Sequence, residues 1–198
     1  MPAGLLLAAG AGRRMGGPKA LVRLDGRPLV LRAVDVLRAA GCAPLVVVVG
    51  AAAAEVRALL PADVTAVEAP GWADGMGASL RAGLAALEPL PGVTAAIVHL
   101  VDLPGVTAAA VARLAASGDT PAALARAAYD GRAGHPVLLG RDHWAAVAGA
   151  ATGDAGARGY LAGNPDVVLV ECGDVAEPDD VDTPEQLARR GSALESGS

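Results

Sequence analysis

Three stretches of this chain, Gly4 to Ala8, Leu45 to Val49 and Ala95 to Val101, are apolar at nearly every position. A strand with one wet face alternates apolar and polar residues, so runs this continuous must be covered on both faces, as in a parallel sheet lying between helices. The intervening segments agree. Pro28 to Ala40 reads as a helix with proline in its first turn and Gly41 as its stop, Ala51 to Leu60 and Ser79 to Leu87 are helical in composition, and Val64 to Glu68 is a short strand.

Further along, Thr107 caps an alanine-rich helix reaching Ala116. Ala122 to Tyr129, the turn Asp130-Gly131 and Pro136 to Leu139 then suggest an antiparallel excursion, of the kind that often carries a substrate. His143 to Val147 and Ala155 to Leu161 read as short helices and Val167 to Glu171 as a strand. Thr183-Pro184-Glu185-Gln186 is a helix start with Thr at the N-cap, Pro at N1 and Gln at N3. A chain of 198 residues with 53% hydrophobic content has enough for one substantial core, so residues 1–190 are expected to form one domain, followed by a frayed tail from Gly191 to Ser198.

The first apolar run delivers the backbone to the carboxyl edge of the expected sheet and continues as Ala8-Ala9-Gly10-Ala11-Gly12-Arg13-Arg14-Met15-Gly16-Gly17-Pro18-Lys19. Glycines there permit close backbone approach, N–H groups of such a loop converge on an anion, and Arg14 and Lys19 add full positive charge. Of 16 basic residues Lys19 alone is lysine, a compact ammonium suited to phosphate as a point charge. The loop is not a Walker A loop, because Lys19 follows Pro18 and precedes Ala20. It also lacks the third glycine of the dinucleotide fingerprint, which opposes an NAD-dependent oxidoreductase.

Net charge −5 and a pI near 5.1 leave no basic stripe for nucleic acid or a membrane surface, so substrate charge must be met locally. The apolar runs are too short to span a bilayer, and the first ten residues lack the basic n-region of a signal peptide, so the expected location is the cytoplasm. Cys42 and Cys172 lack any metal-ligand spacing and read as small core residues without a disulfide; His99, inside an apolar run, reads as structural.

The loop resembles the signature of the MobA-like NTP transferase family, in its branch of molybdenum-cofactor cytidylyltransferases: Leu-Ala-Ala/Gly-Gly, three residues, Arg-Met-Gly, then Lys. The likeness extends through Asp102-Leu103-Pro104, Gly75-Met76-Gly77-Ala78-Ser79-Leu80, Gly134-His135-Pro136-Val137, Gly153-Asp154-Ala155-Gly156-Ala157-Arg158 and Asp182-Thr183-Pro184. It departs at Ala11 and Gly12, where relatives often carry a hydroxyl, and at Leu103, which replaces a frequent Gln.

The resemblance implies a three-layer α/β/α sandwich of Rossmann-like type, mostly parallel with a small antiparallel portion. It implies nucleotide binding by Ala8, Ala9, Gly10, Gly12, Arg14, Lys19, Gly75 and Ser79, with Arg14, Lys19 and Asp102 catalytic. Mg²⁺ is assigned to Asp102, with Asp182 preferred over Asp180 as the second carboxylate. A hard cation needs one or two carboxylates beside phosphate oxygens and waters, so the two acids need not be near in sequence. His135 and Arg158 would face the acceptor, although each also fits a purely structural role.

The expected reaction is attack by the terminal phosphate of a molybdopterin-type cofactor on the α-phosphorus of CTP, the product passing to a molybdoenzyme or its chaperone. Two alternatives stay open beside it and the oxidoreductase: transfer from CTP or GTP to another phosphorylated acceptor such as a sugar phosphate or phospholactate, and a non-catalytic module that holds and hands on a pterin cofactor.

Overall fold

The structure is a computed structural model that describes residues 1–195, with side chains through residue 190. Its elements, in chain order, are β1 (Ala3–Leu7), β2 (Arg23–Leu24), β3 (Arg27–Pro28), α1 (Leu29–Ala39), β4 (Leu45–Val49), α2 (Ala53–Leu59), β5 (Val64–Glu68) and α3 (Met76–Leu87). There follow β6 (Ala95–Leu100), α4 (Ala108–Ala115), β7 (Leu124–Tyr129), β8 (Arg132–Gly140), α5 (Trp144–Ala150), α6 (Arg158–Leu161), β9 (Val168–Glu171) and α7 (Pro184–Glu195).

One seven-stranded sheet runs in the order β5-β4-β1-β6-β8-β7-β9. It is parallel except at β8, which lies antiparallel between β6 and β7. The continuous apolar runs are explained by the pleat. In β1, β4 and β6, the residues Leu6, Val47 and Ile97 face one core, toward α1 and α4, while Leu5, Val46 and Val98 face the other, toward α3 and α5. The three-layer α/β/α architecture expected from the sequence is therefore the one observed. Gly4 has a packing reason: a Cβ there would come within 2.6 Å of the Leu45 side chain.

Helix boundaries follow their caps. α1 ends in a Schellman motif: Gly41, at φ +83°, donates to Arg38 O at 2.9 Å and Cys42 donates to Leu37 O at 3.1 Å. Pro28 is the N-cap of α1 rather than its first residue, because it also pairs with Arg23 in the two-stranded β2-β3 hairpin around Asp25-Gly26. Thr107 caps α4 through its hydroxyl, which accepts from Ala110 N–H at 3.2 Å. α3 begins at Met76, three residues ahead of the expected Ser79. Gly75, at φ +116°, turns the chain into the helix without a side-chain cap, so Ser79 sits inside the first turn.

The antiparallel excursion is the β7-β8 hairpin, turning at Asp130 (φ +52°) and Gly131 (φ +75°). α7 continues through Gly191 to Glu195, a single glycine in a helical window costing only about 1 kcal/mol. The rest of the expected tail lies outside the described residues. Cys42 and Cys172 are buried free thiols, and burial pushes Cys42 up to about 11.

β1 has β4 on one side and β6 on the other, so the order of connections reverses between β1 and β6. At such a switch point the loops after the two strands leave a crevice at the carboxyl edge. Val101 N–H donates to Leu7 O at 3.2 Å, fixing the start of one loop beside the start of the other.

Candidate active site

The crevice is a cleft of about 500 Å³. Ala9, Gly10, Gly12, Arg14, Lys19, Gly75, Ser79, Asp102 and Asp182, nine of the residues singled out in the sequence, line it together. Ala8 does not: its methyl is in the core and its N–H donates to Val48 O at 2.9 Å, holding the end of β1 against β4. Neither His135 nor Arg158 is among the lining residues.

The glycine loop closes on itself. Gly12 O accepts from Met15 N–H at 2.9 Å and from Gly17 N–H at 3.3 Å, and Gly12 takes φ +57°, where a Cβ would collide with the Gly17 carbonyl. Gly10, by contrast, has nothing within 4 Å of the position its Cβ would take. Across the cleft, a Cβ on Gly75 would stand 2.7 Å from Asp154 Oδ1, and one on Gly77 would stand 2.8 Å from Ala151 O. These contacts press the start of α3 onto the segment between α5 and α6.

Charge at the mouth is organised around Lys19. Its Nζ donates to Asp102 Oδ2 at 2.7 Å and to Asp182, and Arg14 Nη2 meets Asp182 Oδ2 at 2.7 Å. Asp182 is delivered by backbone pairing, Val181 N–H donating to Asp102 O at 2.9 Å, and by a reciprocal cap on α7. Gln186 Oε1 accepts from the N–H groups of Asp182 and Thr183 at 2.8 and 2.9 Å, while Gln186 N–H donates to Thr183 Oγ1 at 3.3 Å. Asp180 is exposed and outside the cleft lining.

Burial opposes the charge on Lys19, but the Asp102 charge and the bonds to Asp102 and Asp182 outweigh it, so its pKa is raised. The Lys19 bond, followed by the charges of Lys19 and Arg14, outweighs burial and holds the Asp182 carboxyl below the ordinary carboxylate range. Two carboxylates thus clasp one ammonium. That donor set, hard oxygen on two sides of a cation, fits a divalent ion completed by phosphate oxygens and water. The lining also carries three cationic side chains (Arg13, Arg14, Lys19) against three carboxylates (Asp102, Asp154, Asp182), so a polyphosphate entering it needs positive charge brought with it. No cluster of three or more metal-ligating side chains occurs among the described residues.

His135 lies on β8 beyond Asp102, its backbone carbonyl accepting from Tyr129 Oη at 2.7 Å. Burial first, then the Arg126 charge, lowers its pKa to about 4 despite the opposing influence of Asp102, so the imidazole is neutral at pH 7. Arg158 is exposed on α6. Sequence reasoning missed Trp72 and Asp154, which line the cleft, and Arg126, half-buried in β7. Arg126 did leave a signal, a lone charge in the otherwise apolar Leu124-Ala125-Arg126-Ala127-Ala128.

The MobA-like NTP transferase domain model matches residues 4–168, a span that holds the glycine loop, α3 and the end of β6. The chain belongs to this family. A relative, the nicotine blue oxidoreductase of Paenarthrobacter nicotinovorans, is 40% identical over 194 residues, covering 94% of each chain. Among solved structures, Rv0371c of Mycobacterium tuberculosis H37Rv in complex with manganese superimposes with a TM-score of 0.74 at 28% identity, covering 96% of this chain and 98% of the other. A nucleotidyl transferase from Methanothermobacter thermautotroptrophicus shares the fold with a TM-score of 0.82 at 23% identity, covering 100% and 99%. Asp182 lies beyond the matched span and is tied to it by the Val181–Asp102 backbone bond. No helix among the described residues is long and apolar enough to cross a membrane.

Proposed function

We propose that this chain, working in the cytoplasm as one domain over residues 1–190, transfers CMP from CTP to the terminal phosphate of a molybdopterin-type cofactor and releases pyrophosphate. The observation that carries the reading is the meeting of Lys19, Asp102 and Asp182 beside the glycine loop at the β1/β6 edge. A phosphate oxygen of the acceptor forms a bond to the α-phosphorus, and the bond from that phosphorus to the bridging oxygen breaks, its electron pair leaving with pyrophosphate. The nucleophile is already ionised near neutral pH, so no general base is required.

The protein's work is placement and charge. Backbone N–H groups of residues 9–12 cradle phosphate oxygens, Ser79 and Gly75 border the ribose and base, and Arg14 and Lys19 neutralise the leaving group. Asp102 and Asp182 would hold Mg²⁺, which when bound supplies positive charge to the phosphate oxygens. Arg158 and His135 serve the acceptor, and the product goes on to a molybdoenzyme or its chaperone. The deciding assay is pyrophosphate release with Mg²⁺, each nucleoside triphosphate and a panel of phosphorylated acceptors. Release requiring CTP and the pterin cofactor is expected; none with any pair defeats the reading.

The likeness to nicotine blue oxidoreductase over 94% of both chains favours one second reading, an oxidoreductase whose nicotinamide dinucleotide sets its pyrophosphate in the same loop. Oxidation of NADH or NADPH by a quinonoid dye, with no pyrophosphate produced from any triphosphate, would establish it instead.

A further inference from the structure

Past Asp102, outside the lining of the cleft, stand two arginines, Arg126 and Arg158, that make no ion pair among the described residues. Arg126 projects from β7, whose Leu124 belongs to the α3-side core, two residues away on the same face, and Arg158 comes from α6, whose neighbours Ala157 and Tyr160 pack on that core. Arg126 is half-buried, and its recorded bond is a long one, from Nε to Gly134 O at 3.4 Å. Burial, then the Arg158 charge, disfavours its cationic form. Both arginines also act electrostatically on His135, which in turn feels Asp102, so the cluster adjoins the carboxylates that clasp Lys19.

In this acidic chain seven of the fifteen arginines, Arg14, Arg27, Arg32, Arg38, Arg57, Arg113 and Arg190, make ion pairs. Among the described residues Arg126 and Arg158 make none. Converging like charges on a half-buried wall weaken the fold unless an anion joins them.

We propose that Arg126 and Arg158 form the seat of the acceptor's phosphate, a dianion gripped between two guanidinium groups beside the neutral His135. This deepens the nucleotidyl-transfer reading and rests on it. Guanidinium forks match phosphate oxygens in pairs, and two of them offset the repulsion that a dianionic nucleophile meets on approaching a polyphosphate. The neutral imidazole adds a hydrogen-bonding group without competing for the charge. The acceptor class is thereby narrowed to phosphomonoesters; carboxylates and alcohols suit the seat poorly.

The test is titration of inorganic phosphate, followed by ³¹P line width, into protein saturated with Mg²⁺ and a non-hydrolysable CTP analogue, so that the glycine loop is already filled. Arg126→Gln and Arg158→Gln are each expected to weaken phosphate binding by about tenfold or more, the loss of one charged hydrogen-bonding partner, while the analogue's own affinity stays within about twofold. Arg126→Lys should recover part of the loss. Phosphate should also raise the unfolding temperature of the wild type and not of the variants. Because Arg158 is exposed, its variant decides the matter if Arg126→Gln does not fold. Phosphate affinity unchanged in Arg158→Gln and in any folded Arg126 variant overturns the proposal. If the analogue does not bind at all, the nucleotidyl reading falls instead, and the same titration without it still reports whether the two arginines hold phosphate.

Discussion

Lys19 Nζ stands 2.7 Å from Asp102 Oδ2, a contact between residues 83 apart that joins the loop after β1 to the loop after β6. The same ammonium reaches Asp182 in the segment before α7, so one side chain ties three parts of the chain into a single electrostatic unit. Asp102 and Asp182 would hold a divalent cation that supplies positive charge to phosphate oxygens, and Lys19 beside them would meet charge developing on the leaving group.

Lys19→Ala and Arg14→Ala are each expected to lower turnover by about 10²-fold or more, the usual scale for removing one preorganised donor of a transition state. Lys19→Ala also leaves two carboxylates facing each other without their cation and should lower the unfolding temperature, whereas Arg14, with its side chain 76% exposed, should not. Steady-state pyrophosphate release and thermal unfolding on the same preparations separate the two effects; normal turnover in both variants removes these residues from the chemistry.

Asp102→Asn should remove divalent-ion dependence together with activity and leave the sheet intact, since Asp102 lies just past the end of β6 rather than within the strand. Asp182→Asn is expected to weaken Mn²⁺ binding less, because backbone pairing at Val181 keeps the segment in place. Calorimetric titration of Mn²⁺ in the presence of CTP measures both, and an Asp102 variant with unaltered metal affinity would move the ion elsewhere.

The sheet and the cap that sets Asp182 at its carboxyl edge could be read from the sequence because their signals are local. Runs such as Leu45 to Val49 have no alternative to double-sided burial, and Thr183 to Gln186 spells its own cap. The start of α3 could not be read so directly. Its entry depends on Gly75 lying against Gly153 and Asp154, a tertiary contact with no trace in the local pattern, and propensity alone placed the helix start three residues late at Ser79. The β2-β3 hairpin was missed because two-residue strands carry no periodicity, although Asp25-Gly26 was a usable turn signal. Ala8 was grouped with the cleft because it adjoins the loop in sequence; the pleat sends its methyl into the core.

Two glycines of one loop should answer differently to the same methyl. Gly12→Ala puts a Cβ into the Gly17 carbonyl at a left-handed φ, so a loss of about 1–3 kcal/mol in stability is expected along with loss of nucleotide binding. Gly10→Ala meets no atom within 4 Å and should fold normally, but its methyl enters the cleft and weakens nucleotide binding. Urea unfolding paired with CTP titration checks the contrast, which would fail if both variants lost stability equally.

Stability should fall as the solution is made mildly acidic. Burial, with the nearby His135 charge second, lowers His99 to about 3, and burial, with the Arg126 charge second, lowers His135 to about 4, against 6.5 for a free imidazole. Below pH 6.5 the unfolded chain binds protons that the folded chain refuses, so ΔG of unfolding decreases with falling pH by about 1.4 kcal/mol per unit for each histidine. The contribution is complete above pH 6.5 and eroded down to about 4 for His135 and about 3 for His99. Urea midpoints between pH 7.5 and 4.5 should show this slope, and His99→Gln should reduce it; a flat profile would mean that neither histidine refuses its proton.

Nucleotide choice is expected to turn on Ala9. The family resemblance implies Leu-Ala-Gly-Gly in guanylyl-transferring members where this chain has Leu7-Ala8-Ala9-Gly10, the cytidylyl form. Ala9 is 4% exposed at the edge of the cleft, and a Cβ on Gly50 would lie 2.8 Å from the Ala9 methyl and 2.5 Å from the Trp72 ring, so the three residues pack as one corner. Removing the methyl enlarges the cleft directly and loosens the support for Trp72, and both changes favour a larger base. One methyl in a pocket is worth about 1–3 kcal/mol, or roughly 10- to 200-fold in kcat/KM, so CTP should be preferred without wholly excluding GTP, and Ala9→Gly should relax that preference without reversing it. Comparing kcat/KM for CTP and GTP, with the same acceptor, in wild type and Ala9→Gly gives the answer. Wild-type preference for GTP would refute cytidylyl transfer while sparing nucleotidyl transfer, and identical ratios in the two proteins would shift discrimination from this corner to the Ser79 side of the cleft.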